Sequence, residues 1–341
     1  MWSEQKIEQK LLTSLKTEFG EDKAKEYYAD YVSARTYIID NILPEIKAKQ
    51  PDISYHDASH IQNVLQNAYF LLEDDGLCKL TGLEIYCLCL IAVFHDVGNI
   101  EGRELHHDKA KIAEVYNKVR NGDTKYNQER HLIITGASAH SGITKSGSTD
   151  TLKDIDRMPT NLDGHPIKLR DIACIIRFAD ELAEGYQRTS DYKNKKDEYI
   201  VDSKIFHQYA EQVNVQIDRG GNRIVLTYHI ELNDKKSKSI DWKILKTFLG
   251  FIYKRIIKLN EERLYAKYYS ELLSPFKRTE VIFKFYANKI PCDIDIDKVV
   301  LDNEYVVPRK EKDIEIQELT EKFSSLDINS MINLLKKNSE L

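Results

Sequence analysis

No Cys-x-x-Cys pair occurs among the five cysteines, Cys78, Cys87, Cys89, Cys174 and Cys292. That removes the usual dithiol redox and zinc-ribbon signatures, and the thiols read as buried and free, in a reducing compartment. The opening segment, MWSEQKIEQK, lacks the apolar core that a signal peptide needs. The longest apolar run, around Ile85 to Phe94, is too short to span a bilayer. The expected location is therefore the cytoplasm, with no membrane partner. Positive charge is not in excess either: 50 Lys and Arg stand against 55 Asp and Glu, a net charge of −5. This gives no support for broad nucleic-acid binding and leaves room only for a local basic groove. Internal repeats are absent.

What is present fits a folded chain. Hydrophobic residues make up 42% and charged residues 31% of 341 residues, enough for two domains or one large domain with an appendage. Residues 1–50 have helical periodicity with Tyr28, Val32, Tyr37 and Ile38 on the apolar stripe, interrupted by Pro44. Ser54-x-x-Asp57 forms a near capping box, which predicts a helix carrying Ile61, Val64, Leu65 and Ala68. Further helices are predicted over about 80–94, 108–119, 128–139 and 167–183, with the first apolar on most faces. Between Gly142 and Pro166 lies a polar stretch, long for a structureless loop, which reads as a lid or a disordered segment.

After Thr189 the periodicity changes. Val213, Val215 and Ile217 alternate with polar residues, Arg219 to Asn222 supplies a turn, and alternation resumes from Ile224 to Leu232. A long amphipathic helix follows, from about Ser239 to Leu273, then a strand through Val281, Phe283 and Phe285, and a charged helical tail from Glu311. The predicted fold is mainly α: an all-α helical core with a smaller α+β C-terminal appendage. Three regions are expected, 1–50, 51–190 and 191–341, the last available for oligomerisation or a partner protein.

Five stretches hold a His or Asp in or beside a helix: YHDASHIQNV (55–64), FHDVGN (94–99), RELHHDKAKIA (103–113), GASAHSG (136–142) and IIRFADELAEG (175–185). An adjacent His-Asp pair at the end of a buried apolar helix is costly without a partner. One divalent cation satisfies both residues, and imidazole with carboxylate suits Mn, Fe, Zn, Ni and Co. A carboxylate can also bridge two ions about 3.5–4 Å apart, an arrangement that clamps both oxygens of a phosphoryl displacement.

In this order the residues resemble the HD superfamily of metal-dependent phosphohydrolases, over about residues 55–190. IRFADEL, HDVGN and the GREL-HHD run look most like the HD-CE group, associated with bacterial conflict systems. The resemblance implies two divalent metal ions (Mn, Fe, Ni, Co, Zn or Mg) on His60, His95, Asp96, His107, His140 and Asp180. It implies cleavage of a phosphoester or phosphoanhydride of a small nucleotide through a metal-activated water, and a role in antiviral defence. The first motif is similar to the YHN-x-x-HA-x-x-V signature of cyclic-nucleotide phosphodiesterases. That similarity implies metal binding by His60 and general-acid work by His56, with Asp96 at the catalytic centre. Many members carry Lys after His-Asp-x-Gly; here the position is Asn99, assigned to substrate without a cation. Arg188 is a second candidate for phosphate, with neutralisation of a helix end as the alternative.

Of the adjacent His106 and His107, His107 has the better spacing to Ala110 and is preferred as ligand. His131 reads as a satisfied structural histidine, His165 as solvated, and His207 and His229 as structural. The basic residues Lys254, Arg255 and Lys258 read as a solvated face. Two other functions remain open: a metal-dependent nuclease on single-stranded nucleic acid, since CRISPR-associated helicase-nucleases share a similar ligand order, and a non-catalytic nucleotide sensor.

Overall fold

Every residue of the segment GLEIYCLCLIAVF, from Gly82 to Phe94, is buried. Its helix is the axis on which the N-terminal unit is built. The structure, a computed structural model, describes residues 2–50, 57–144, 147–185, 201–233, 239–294, 296–302 and 327–339. It divides into two compact units, residues 1–183 with 265–274, and residues 184–264 with 275–341. The fold is mainly α with an α+β C-terminal region.

The first unit contains α1 (Lys6–Phe19), α2 (Glu21–Tyr37), α3 (Leu43–Lys49), α4 (Ala58–Leu77), α5 (Gly82–Phe94), α6 (Lys109–Val119), α7 (Asn127–Ser138) and α8 (Leu169–Glu181). Helix α5 packs against α1, α2, α4, α7 and α8. It starts on a full capping box: Thr81 Oγ1 accepts from Glu84 N at 3.1 Å, and Glu84 Oε2 accepts from Thr81 N at 3.0 Å. The other Glu84 oxygen accepts from Lys168 N at 3.1 Å, which ties the starts of α5 and α8 together. Helix α7 is locked to α5 and α6 by Glu129, which accepts from Tyr86 Oη at 2.5 Å, Tyr116 Oη at 2.6 Å and Arg120 at 2.7 Å. Pro44 does not break the chain's helical course. A π turn over Ile38–Ile42 precedes it, and the wider turn accommodates a residue without an N–H before α3 resumes.

Two expectations are corrected here. The stretch from Gly142 to Pro166 is neither lid nor loose loop where described. Thr160–Leu162 (β1) and His165–Ile167 (β2) form an antiparallel hairpin. Its turn uses Asp163 and Gly164 at φ of 51° and 84°, the left-handed pair that two-residue hairpins favour. Leu152, Leu162 and Ile167 are buried, and the buried Asp150 accepts from Tyr269 Oη at 2.5 Å. Second, Gly82–Glu101 is long and apolar enough by composition to cross a membrane, although its whole window is buried inside the protein. The cysteines are free, with Cys87, Cys89 and Cys174 buried but Cys78 exposed.

In the second unit, α9 (Val201–Gln212) runs into β3 (Val213–Asp218) and β4 (Arg223–Glu231), the hairpin that alternation predicts. After α10 (Trp242–Tyr269), β5 (Arg278–Ala287) pairs with β4 in parallel, from Arg223 opposite Arg278 to Glu231 opposite Tyr286. The helix supplies the crossover that a parallel pair requires. The short strands β6 (Ile290–Pro291) and β7 (Val299–Leu301) both pair with β5. Of the tail expected from Glu311, helix α11 (Ile328–Ser339) lies within the described residues. Arg255 is not a solvated cation; it is paired with the buried Glu184.

Candidate metal centre

Three helix ends deliver four donors to one point. Asp57 caps α4, accepting from Ser59 N at 2.9 Å and His60 N at 3.4 Å, and so sets the first-turn position of His60. It is thus Asp57 itself that caps, three residues after the Ser54 expected to start the capping box, which lies outside the described residues. His95 and Asp96 follow the last residue of α5. Asp180 stands in the last turn of α8, and α8 is held to α4 by Asn67 Nδ2 donating to Ala179 O at 3.0 Å. His60 Nε2 lies 3.2 Å from His95 Nε2, 3.3 Å from Asp96 Oδ2 and 3.2 Å from Asp180 Oδ1. His95 Nε2 lies 3.1 Å from Asp96 Oδ2 and 3.7 Å from Asp180 Oδ1.

Those separations match the edges of a coordination polyhedron. Bonds of about 2.1 Å place neighbouring donors about 3.0 Å apart in an octahedron and about 3.4 Å apart in a tetrahedron. Two imidazole nitrogens and two carboxylate oxygens are also the mixed donor set that first-row divalent ions take. The residues present therefore fit a bound metal ion.

A second group forms around the same aspartate. Asp96, His106 and His140 bring ligand atoms within 4.8 Å of one another, and His140 Nε2 lies 3.8 Å from Asp96 Oδ1. The two oxygens of Asp96 thus face different histidine sets. Three of the histidines are aimed by one local device. His95 Nδ1 pairs with Ala92 O at 2.7 Å and His140 Nδ1 with Ala137 O at 2.5 Å. His106 Nδ1 pairs with Arg103 O in the same way. In each case a ring just past a helical turn donates from Nδ1 to the carbonyl three residues back. That leaves Nε2 as the lone-pair donor pointing into the site.

Gly98 makes the approach of His106 possible. A Cβ at this position would stand 2.2 Å from His106 O, and the obstacle is backbone, which cannot swing away. Gly98→Ala is expected to push His106 off Asp96 and His140, to destabilise the fold by about 1–3 kcal/mol, and to lower the metal retained after purification. Metal content and melting temperature equal to those of the wild type would contradict this role.

Asp96 and Asp180 dominate the electrostatics of the cluster. Burial opposes charge on His95, but Asp96 and Asp180 outweigh it and hold its pKa well above the usual imidazole range. Burial opposes ionisation of Asp180 too, yet hydrogen bonds from His60 and His95 keep its pKa well below the usual carboxylate range. Burial and the neighbouring His95 push His140 down to about 3. His95 is thus favoured in its protonated form by the same two carboxylates that would hold a cation. Its folded pKa exceeds the unfolded value, so its contribution to stability is full below about pH 6.5 and lost as pH rises through the raised folded pKa. A metal must displace that proton, so affinity rises with pH. Melting curves from pH 6 to 9 are expected to show chelator-treated protein losing stability with rising pH, and added Mn²⁺ stabilising more at the alkaline end. Parallel curves would contradict it.

Several sequence-assigned residues lie elsewhere. His107 does not join the second group; His106 does. The short helical turn Arg103–Leu105 rotates His106 inward, while the ring of His107 packs on Gly142, where a Cβ would meet its Cδ2 at 2.3 Å. Asn99 is buried rather than open to substrate. Its Nδ2 donates to Asp96 O at 3.0 Å and Asp96 Oδ1 at 3.1 Å, so it orients the carboxylate. His56 and Arg188 lie outside the described residues. The sequence signal for the common device of the three histidines is a helical turn ending just before each. His165 touches Phe19 edge-on while its side chain stays 43% exposed, in keeping with a solvated residue, and His207 is buried, in keeping with a structural one. His229 pairs with Tyr286 Oη at 3.0 Å.

No curated protein and no solved structure matches this chain. The family comparison is positive: the HD-CE family profile matches residues 26–258, more than half of the 341 residues. The match spans α4 to α8, which carry the donors, and continues through most of α10. A buried His/Asp cluster in the order His60, His95-Asp96, His106, His140, Asp180, together with that match, fits an HD-type metal-dependent hydrolase, and the chain belongs to the HD-CE family.

Proposed function

We propose that this protein is a metal-dependent phosphohydrolase acting on a small nucleotide, with two divalent ions shared by Asp96. One observation carries the reading: the two oxygens of Asp96 face different histidine sets, His60 and His95 on one side and His140 on the other. A pair of divalent ions held there neutralises phosphate oxygens and lowers the pKa of water. The chain's own residues do the rest. His60, His95 and Asp180 fix one side of the centre, His106 and His140 the other, and Asn99 holds the bridging carboxylate in orientation. His56 is assigned the proton for the leaving oxygen, on the similarity of YHDASHIQNV to the cyclic-nucleotide phosphodiesterase signature.

The small-nucleotide reading draws on the net charge of −5, since a polymer track needs several aligned cations to displace condensed counterions. A lid over 142–166 no longer supports it, because the described part of that stretch is packed. A place in bacterial defence follows from the family's association and is part of the same proposal. The experiment is a hydrolysis screen with Mn, Mg, Co and Ni against deoxynucleoside triphosphates, cyclic nucleotides, dinucleoside polyphosphates, single-stranded DNA and RNA. Phosphate or nucleoside release from a free nucleotide is expected. Cleavage of single-stranded nucleic acid alone would replace this reading with the nuclease.

A further inference from the structure

Beside α7 the first unit has an open cavity of about 410 Å³ lined by Lys109, Asn127, Arg130, His131, Ile134 and Thr135. None of these residues belongs to the metal centre. Asn127, His131, Ile134 and Thr135 recur at the spacings of one face of α7, and Lys109 opens α6. Lys109 and Arg130 form no ion pair within the described residues, although acidic residues outnumber basic ones in the chain as a whole. Arg130 Nε is buried and has no hydrogen-bond acceptor. Buried donors are nearly always satisfied, by protein or by water, so this Nε has capacity for a further acceptor. His131, expected to be a satisfied structural residue, is instead exposed on this cavity.

We propose that this cavity is a second, anion-binding site that takes the phosphates of a small phosphorylated ligand. Two permanent cations converge on one volume, with the Asn127 amide and the Thr135 hydroxyl beside them as hydrogen-bonding groups. The guanidinium of Arg130 suits bidentate phosphate contact and Lys109 acts as a point charge. The volume lies within the range of small-molecule sites. A local pair of cations on one open cavity, in contrast to a long basic stripe, favours a small ligand over a nucleic-acid strand. The site can work whether or not the metal centre is hydrolytic, so the two proposals stand or fall separately.

The test is calorimetric titration of inorganic triphosphate into the full chain after chelator treatment, which removes the metal centre as a competing phosphate site. Binding is expected, weakened by about tenfold or more in Arg130→Gln and further in the double variant with Lys109→Gln. Melting curves of the variants should overlay that of the wild type, and metal-loaded hydrolysis of a substrate found in the screen serves as a separate readout of the metal centre. Absence of triphosphate binding, or equal affinity in wild type and double variant, would overturn the proposal. So would a preference for single-stranded DNA over triphosphate that the two substitutions abolish, because the groove would then be a polymer track.

Discussion

Asp96→Ala is expected to strip the protein of metal and to lower hydrolysis by about 10³-fold or more, since metal-supplied charge stabilisation is worth several kcal/mol. The size of the effect follows from the position of this one side chain. Its Oδ2 lies 3.1 Å from His95 Nε2 and 3.3 Å from His60 Nε2, and its Oδ1 lies 3.8 Å from His140 Nε2. Loss of any single histidine leaves one group of donors intact, whereas loss of Asp96 removes a donor from both. Asp96→Asn keeps the shape and deletes the charge. It is expected to lose metal nearly as completely, which separates a chemical effect from misfolding. Elemental analysis, a melting curve and turnover on the same preparation decide the matter. A folded Asp96→Ala protein with full metal and activity would show that the carboxylate does not bridge.

His56→Ala is expected to retain its metal and to lose turnover by about 10²–10⁴-fold, the usual contribution of a positioned general acid. Position in the chain motivates it. His60 is committed to the donor group, and His56 stands four residues upstream in sequence, just before the Asp57 that caps α4. Two readouts separate this from a merely structural role. Metal content should match the wild type, and the loss should shrink for a substrate whose leaving group needs no proton. Metal loss in His56→Ala would instead make it a ligand.

Much of this centre was legible because metal chemistry constrains residue type and order more tightly than folding does. His60, His95, Asp96, His140 and Asp180 stand at helix ends, where apolar periodicity gives way to a polar donor, and periodicity is what a sequence displays best. The choice between His106 and His107 was not legible by spacing to α6. The turn over Arg103–Leu105 is three residues long, and a shift of one residue there reverses which ring faces inward. The role of Asn99 was hidden for a similar reason. Its position after His-Asp-x-Gly suggests substrate, but the helical turn from Val97 folds the amide back onto Asp96. The hairpin over 160–167 carried a readable signal, Asp163-Gly164 between Leu162 and Ile167, masked by the polar composition around it. The β3–β4 hairpin was plain from alternation. The parallel pairing of β4 with β5 was not, because partners joined through α10 leave no local trace in either strand.

The most direct test of the central claim is a crystal structure of the protein soaked with Mn²⁺, with data collected for anomalous scattering. The account predicts a peak within about 2.0–2.3 Å of His60 Nε2, His95 Nε2, Asp96 Oδ2 and Asp180 Oδ1. It predicts a second peak between Asp96 Oδ1, His106 and His140, about 3.5–4 Å from the first. Ordered side chains at these positions with no anomalous density among them, at millimolar Mn²⁺ and alkaline pH, would contradict it.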